Sequence, residues 1–288
     1  MKGDLEMKRR FAAVAAAVLL CAAPAFAQDK LPPLRTGVDG TFPPHAFPKL
    51  GGGTQGFNID VFTEVAKRLH RGITIDSVSF STLIPGLESG RYDFIAAPTT
   101  VTKERAEKLL FTSGYLWTDY QFGIKKGTPH IKGWEDLKGK AVAVNKGTPY
   151  ETLSKQKGKE IGFDVQAYDT QPDATQAVLS GRAYATLGGN TVIVYTASKN
   201  PQFVADLELT ETRAHWAAPV RKDEPKLRAQ LQDALDCMKK DGTLPKLYEK
   251  WFNKKPAADD LAVVITPGYG VPGMPGYDPT PHELHCGG

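Results

Sequence analysis

The sequence predicts an α/β fold of two similarly built lobes, each with a mostly parallel sheet and flanking helices. Short apolar runs typical of strands alternate with segments whose apolar residues recur at helical spacing. The alternation occurs twice, before and after about residue 120, as expected for parallel strands joined by covering helices. A weaker sign is a short internal repeat, because Ser89-Gly90-Arg91 and Ser180-Gly181-Arg182 both lie where a predicted helix ends and a strand begins.

The first cycle of elements occupies residues 34–97. Its longest helix is predicted at 57–69, where apolar residues recur every four positions after a loop rich in Gly and Pro. Strands at 34–38, 73–78 and 92–97 and a short helix at 83–87 complete the cycle. This strand–helix–strand order predicts a parallel sheet.

The second cycle follows Tyr120 and repeats the same order. It contains strands at 141–144, 163–168 and 184–187 and helices at 149–155 and 170–179. After residue 216 the chain returns to a strand at 217–220 and to helices at 224–240 and 243–252. The repeated cycle indicates two lobes of like construction.

Residues 1–27 have the features of a cleavable signal peptide. The basic residues 8–10 precede an apolar run, and Ala25-Phe26-Ala27 supplies the small residues of a cleavage site after Ala27. Cys21 follows bulky Leu20, where a lipoprotein signal requires a small residue. We therefore expect export to the periplasm and a mature protein without a lipid anchor.

Composition excludes several classes of protein. The chain has 288 residues, of which 41% are hydrophobic and 24% charged, which is ordinary for a globular protein. The net charge is only +4, and basic residues are scattered beyond residues 8–10, so nucleic-acid binding is not predicted. No apolar run after the signal reaches the 18 or so residues of a membrane span.

The last segment, 253–288, is rich in Gly and Pro and is predicted to be an extended tail or an irregular wrap. Cys237 lies roughly 100° from the centre of the apolar stripe of helix 224–240, and it should be reachable from outside. We predict a disulfide between Cys237 and Cys286, which an oxidising compartment permits. The cysteine and histidine spacing matches no recognisable zinc site, and neither a metal nor another cofactor is predicted.

An anion site is predicted where the strand at 92–97 leads into a helix. Thr100 and Thr102 can each cap that helix, and Arg105 falls in its first turn. Unpaired backbone N–H groups, hydroxyls and a guanidinium would converge there, and an anion would compensate an arginine that opposes the helix dipole. The alternative is a solvated surface arginine.

Several motifs together carry a family resemblance over about residues 34–252. The motifs are Gly37-Val38-Asp39-Gly40-Thr41-Phe42-Pro43-Pro44, Gly56-Phe57-Asn58-Ile59-Asp60, Leu83-Ile84-Pro85-Gly86-Leu87, Thr100-Val101-Thr102-Lys103-Glu104-Arg105, Leu137-Lys138-Gly139-Lys140 and Asp241-Gly242-Thr243-Leu244. In this order and spacing they resemble the periplasmic solute-binding proteins that deliver polar amino acids to ABC transporters.

The resemblance implies two lobes joined by a pair of crossing strands, with a ligand held in the cleft between them. Lobe one would comprise 34–116 with 217–252, and lobe two 118–215. Such a protein would be a monomer without enzymatic activity, and it would pass a small carboxylate-bearing solute to the membrane permease of an ABC importer.

The resemblance also implies a set of ligand-binding residues. Arg105, helped by Thr100, would bind the ligand's carboxylate, and Phe80 would stack on its side chain. Asp39 and Phe42 match pocket residues after the first strand. On lobe two the matching loop at a helix start comprises Asn145, Gly147, Thr148 and Pro149, and the neighbouring Lys146 and Tyr150 could also reach the ligand.

Two positions depart from the family pattern. Pro98 stands where the family usually has a hydroxyl, and Gly189, followed by Asn190, stands where it usually has an aspartate for the ligand's ammonium. A carboxylate ligand without an ammonium is therefore an alternative to an amino acid, because a buried ammonium requires an acidic partner. The expected ligand is an amino acid or a related organic acid.

Two other functions remain open from the sequence. The fold also resembles periplasmic cyclohexadienyl dehydratases, for which Glu151 would be the first acid to test as a proton donor. A ligand-sensing subunit of a membrane receptor would share the same sequence features. His45, beside the Pro43-Pro44 turn, is expected to be a solvated loop histidine.

Overall fold

The computed structural model describes residues 31–284 and residue 286. The predicted signal peptide, with Cys21, lies outside this part of the chain. Within it, no helix is both long enough and apolar enough to cross a membrane.

The described chain alternates strands and helices, with two short 3-10 turns at Phe80–Thr82 and Trp134–Leu137. The strands are β1 (Leu34–Val38), β2 (Phe47–Pro48), β3 (Thr54–Gln55), β4 (Ile73–Ser77), β5 (Phe94–Ile95), β6 (Thr99–Thr100), β7 (Leu109–Phe111), β8 (Leu116–Lys125), β9 (Ala141–Asn145), β10 (Asp164–Tyr168), β11 (Ala185–Gly189), β12 (Phe203–Ala217) and β13 (Pro219–Arg221). The helices are α1 (Phe57–Arg68), α2 (Leu83–Glu88), α3 (Lys103–Lys108), α4 (Pro149–Ile161), α5 (Gln171–Leu179), α6 (Asn190–Lys199), α7 (Pro225–Lys240) and α8 (Thr243–Phe252).

The first sheet has the strand order β4-β1-β5-β13-β7 and forms the base of lobe one. Strand β1 pairs in parallel with β4 and β5, as the strand–helix–strand order predicts, whereas β13 pairs antiparallel with β5 and β7. Parallel strands end at the same edge of a sheet, so the segments after β1 and β5 lie side by side. This edge carries Asp39 and the residues that lead to Arg105.

The second sheet has the order β10-β9-β11-β8-β12-β6, and all of its strands except β6 belong largely to lobe two. Strands β9, β10 and β11 pair in parallel, but β8 pairs antiparallel with β11 and β12, so both sheets are mixed. The long strands β8 and β12 also join the lobes, since Trp216 at the end of β12 pairs with Thr100 of β6. The family resemblance implied a pair of crossing strands between the lobes, but the residue pattern did not predict β8 or β12 as strands. Strand β8 is buried on both faces and β12 is twice irregular, so neither alternates regularly.

The C-terminal segment wraps irregularly over α7, and the predicted disulfide is confirmed: Cys237 and Cys286 are bonded, with Cα atoms 5.5 Å apart. The buried Gln232 of α7 donates to Gly268 O (2.7 Å) and accepts from Gly270 N (2.9 Å). The tail is therefore held by hydrogen bonds to α7 as well as by the disulfide.

Candidate ligand-binding cleft

A small cavity lies between the two sheets, and eight of the eleven predicted ligand-binding residues line it. About 10 Å³ of it is open to the centre of a water molecule, close to what one water requires. The lobes must therefore part to admit anything larger. The lining residues are Asp39, Phe42, Phe80, Ala97, Pro98, Thr100, Asn145, Thr148, Pro149 and Tyr150.

Asp39 supplies a buried carboxylate to the cavity from lobe one. Its Oδ1 accepts hydrogen bonds from the backbone and hydroxyl of Thr41, at 3.0 and 2.6 Å. Its Oδ2 is buried and has no hydrogen-bond partner within the described part of the chain. Burial raises the pKa of Asp39, and the Thr41 donors and the nearby backbone N–H of Phe80 offset this only in part.

Arg105 lies beside the cavity, in the first turn of α3, as predicted. Thr102 caps this helix and accepts from Arg105 N (3.3 Å). The guanidinium donates to Thr100 O (2.9 Å) and, across the cleft, to Gly147 O (3.1 Å), and it lies 5.5 Å from the Phe80 ring. No carboxylate among the described residues lies within ion-pair distance of Arg105. Carbonyls are weak partners for a guanidinium, so an incoming carboxylate would bind it more strongly.

Lobe two contributes the start of α4 to the cavity. Thr148 caps α4 and accepts from Glu151 N (3.3 Å), so the positive end of the helix dipole points toward Pro149 and the cavity. The Asn145 amide donates to Asp169 O (3.0 Å), which leaves its buried Oδ1 without a hydrogen-bond partner among the described residues. An anion is favoured at the helix start, and a donor is favoured at Asn145 Oδ1.

Tyr150, the second residue of α4, is buried and lines the cavity. Its ring packs edge-on against Tyr120, with centroids 4.7 Å apart, and its hydroxyl lies beside Thr100 and Thr118. Burial raises the pKa of Tyr150, so the phenol is protonated at neutral pH. Sequence analysis named Tyr150 only as a neighbour of the closing loop, because nothing local shows that its side chain turns inward.

The structure does not bring Gly189 or Asn190 into the cavity wall. Tyr150, which lines the cavity, lies against Gly189, since a Cβ atom built on Gly189 would lie 2.9 Å from Tyr150 Oη. Asn190 instead donates to Glu208 (2.8 Å) and lines a separate depression of about 250 Å³ near Arg213. Neither position offers a charged partner to a ligand in this conformation.

The expectation of a solvated His45 was wrong, because the ring is completely buried. Its Nδ1 lies 3.0 Å from Asn58 Oδ1 and its Nε2 2.8 Å from the hydroxyl of Thr191. The Asn58 amide donates to Ala96 O, so Asn58 Oδ1 accepts and His45 donates through Nδ1–H. Burial lowers the pKa of His45 to about 3, so the ring is neutral.

Comparisons with known proteins agree with this architecture. Residues 34–254 match the bacterial extracellular solute-binding proteins, family 3. The chain is 32% identical to the putative amino-acid ABC transporter-binding protein PatH of Vibrio harveyi, over 85% of this chain and 98% of that protein. The chain therefore belongs to family 3 of the bacterial extracellular solute-binding proteins.

Two solved structures are similar to the whole two-lobe region. One is an ancestral arginine-binding protein bound to arginine, with a TM-score of 0.74 and 35% identity over 77% of this chain and 99% of that one. The other is the ancestral amino acid-binding protein AncCDT-1, described as a precursor of cyclohexadienyl dehydratase, with a TM-score of 0.71 and 32% identity over 76% and 95%. Both likenesses extend beyond fold to sequence.

Proposed function

We propose that this protein captures an amino acid between its lobes and delivers it to an ABC importer. Lobe one would comprise 34–116 with 217–252 and lobe two 118–215, in a monomer released to the periplasm by cleavage after Ala27. The names of its relatives support this role, since they include an amino-acid ABC transporter-binding protein and an arginine-binding protein.

The observation that carries the proposal is the set of unpaired groups around one cavity. Arg105, without a carboxylate partner among the described residues, and the start of α4 favour a carboxylate. The free oxygens Asp39 Oδ2 and Asn145 Oδ1 favour N–H donors, and the Asp39 charge favours a cation. A ligand with a carboxylate at one end and a cationic nitrogen at the other satisfies both sets. This favours a basic amino acid over an organic acid that lacks nitrogen.

The dehydratase alternative receives little support from the geometry of its candidate acid. Glu151 accepts from Gly147 N (2.7 Å) and pairs with Lys155 (2.6 Å). Although burial alone would raise it, the pKa of Glu151 is lowered by Lys155 and the Gly147 amide. A carboxyl group that stays ionised and lies outside the cavity wall is a poor donor of a proton to a leaving hydroxyl.

Titration calorimetry against L-arginine, L-lysine, L-glutamine, L-cystine and nitrogen-free dicarboxylates tests the proposal. We expect a basic amino acid to bind most tightly. Asp39→Asn should weaken that binding roughly tenfold to hundredfold, about 1.5–3 kcal/mol, because a hydrogen bond to a charged group is lost. Asp76→Asn, on an exposed salt bridge to Arg91, is the matched control and should leave affinity unchanged. Tightest binding of a nitrogen-free acid would contradict the proposal.

A further inference from the structure

We infer that Tyr150 sets the specificity of the cleft. Its hydroxyl occupies the place that a side chain at position 189 would take, so the α-substituent of a ligand meets a neutral phenol there. The inference rests on the proposed function, and it deepens it. The missing acidic side chain at 189 is then a consequence of Tyr150, and the two positions form one unit.

The backbone at Gly189 does not require glycine. Its φ of −68° and ψ of 138° are ordinary extended values that any L-residue adopts. Space is what limits this position, because an added Cβ would lie 2.9 Å from Tyr150 Oη and 3.0 and 3.1 Å from two atoms of the Trp216 ring. Real Cβ atoms almost never come within 2.9 Å of another heavy atom, and the two contacts with Trp216 are tighter than most, so a larger side chain requires Tyr150 to move and Trp216 to shift slightly.

Both rings are held by packing contacts that a shift would disturb. Trp216 is fully buried, and its Nε1 donates to Thr100 Oγ1 (3.0 Å). Tyr150 is fixed at the start of α4 and packs edge-on against Tyr120. An aspartate at 189 would therefore have its carboxylate forced into packed aromatic groups, away from the cavity that Tyr150 lines.

The consequence concerns the ligand's α-substituent. A protonated phenol can donate or accept one hydrogen bond but offers no negative charge, so an ammonium and a hydroxyl gain similar stabilisation from it. Charge recognition in the cleft is left to Asp39, which serves a nitrogen elsewhere on the ligand. We therefore expect the protein to bind L-arginine and its 2-hydroxy analogue, argininic acid, with affinities within about tenfold of each other.

The test is a double-mutant cycle with Tyr150→Ser and Gly189→Asp. Gly189→Asp alone should lower Tm and weaken both ligands, because its carboxylate meets Tyr150 and Trp216. In the double variant the smaller serine leaves room for the carboxylate to reach the cavity. We expect Tm to recover in part and the preference for L-arginine over argininic acid to rise at least tenfold. Tyr150→Phe removes only the hydroxyl that would lie 2.9 Å from the added Cβ, so it should restore part of the Tm of Gly189→Asp, but less than Tyr150→Ser does, because the ring remains.

A milder pair covers the case in which Gly189→Asp does not fold. Gly189→Ala adds one methyl group, and it should lower Tm clearly in the wild type and less in the Tyr150→Ser background. Equal losses in both backgrounds would show that Tyr150 does not fill the site and would overturn the inference.

The remaining outcomes separate this inference from the proposed function. The role of Tyr150 is overturned, with amino-acid capture left intact, if the wild type prefers L-arginine over argininic acid by well above tenfold. The same holds if the double variant folds but shows no gain in this preference or binds neither ligand. If the wild type binds no amino acid of the calorimetry panel, both proposals fail.

Discussion

At the residue scale, the cleft is defined by polar groups that the protein leaves without full partners. Among the residues that the structure describes, Arg105 finds only carbonyl oxygens as acceptors, and Asp39 and Asn145 each keep one buried oxygen without a partner. Buried polar groups are normally satisfied, so a cluster of exceptions around one cavity indicates a place where a ligand completes the hydrogen bonds. The sequence pattern predicted these residues, and the structure adds their unpaired state.

Arg105→Ala should abolish ligand binding and leave the fold intact, because the half-buried side chain contacts two carbonyls and the Phe80 ring and forms no ion pair with another described residue. We expect a loss of about 2–5 kcal/mol in calorimetry if the ligand's carboxylate remains buried without a partner. Arg105→Lys keeps the positive charge but cannot form a bidentate contact, so its affinity for the ligand should lie between those of the wild type and the alanine variant. Near-normal affinity in the alanine variant would remove the carboxylate site from our interpretation.

At the element scale, α7 and the tail stabilise each other. Helix α7 has an apolar face toward the core and a buried polar stripe of Arg228, Gln232, Asp236 and Lys239. The tail covers part of this stripe, since Gly268, Gly270 and Gly276 supply backbone partners to Gln232 and Arg228. The family match ends at residue 254, so this covering segment is an addition to the shared two-lobe region.

Cys286→Ser should lower the free energy of unfolding by up to about 4 kcal/mol, because the disulfide closes a loop of 49 residues and restricts the unfolded chain. Urea unfolding of the exported protein, with and without a reducing agent, measures this. Reduction should destabilise the wild type and leave the variant unchanged. Two reactive thiols in the oxidised wild-type protein would instead show that the tail is free.

At the scale of the whole molecule, a fully buried histidine connects residues far apart in the chain. His45 lies in the loop after β1, contacts Thr191 in α6 and packs at 4.8 Å against the Trp216 ring. The described residues within hydrogen-bond or ring contact of His45 are all uncharged: Phe42, Phe57, Asn58, Thr191, Trp216 and Phe252. A proton on His45 would therefore be neither solvated nor paired.

His45 should make the protein less stable in acid. Its pKa is about 3 in the folded state and near the ordinary 6.5 when unfolded, so the unfolded chain binds more protons between these values. Stability is full above about pH 6.5 and falls on acidification by up to ~1.4 kcal/mol per pH unit. Urea unfolding at pH 7 and pH 5 measures the fall, to which His215, with its pKa lowered to about 4, contributes in the same direction.

His45→Asn is the comparison for this prediction, and the quantity compared is the fall in stability between the two pH values rather than stability itself. We expect a smaller fall in the variant, because asparagine does not titrate. An identical pH dependence in both proteins would show that His45 is accessible to protons in the folded state.

The sequence by itself determined the local and repetitive features. Strand–helix alternation gave the two-lobe α/β class, and cap spacing placed Thr102 and Arg105 at a helix start, because such patterns depend on neighbours a few residues apart. The disulfide followed from the position of Cys237 on its helix together with the oxidising compartment. Of the eleven ligand-binding residues that were predicted mainly from the family motifs, eight line one cavity.

Only the tertiary structure decided what depends on contacts between distant segments. The strands β8 and β12 are specified by pairing with each other rather than by alternation, and His45 is buried by aromatic rings from elsewhere in the chain. The interpretation of Gly189 changed most. The sequence showed only that an acidic side chain is missing there, whereas the structure shows that Tyr150, 39 residues away, and Trp216, 27 residues away, fill the space a side chain would need. Local spacing cannot report such packing, since the volume available to a side chain is set by whichever groups the fold places beside it.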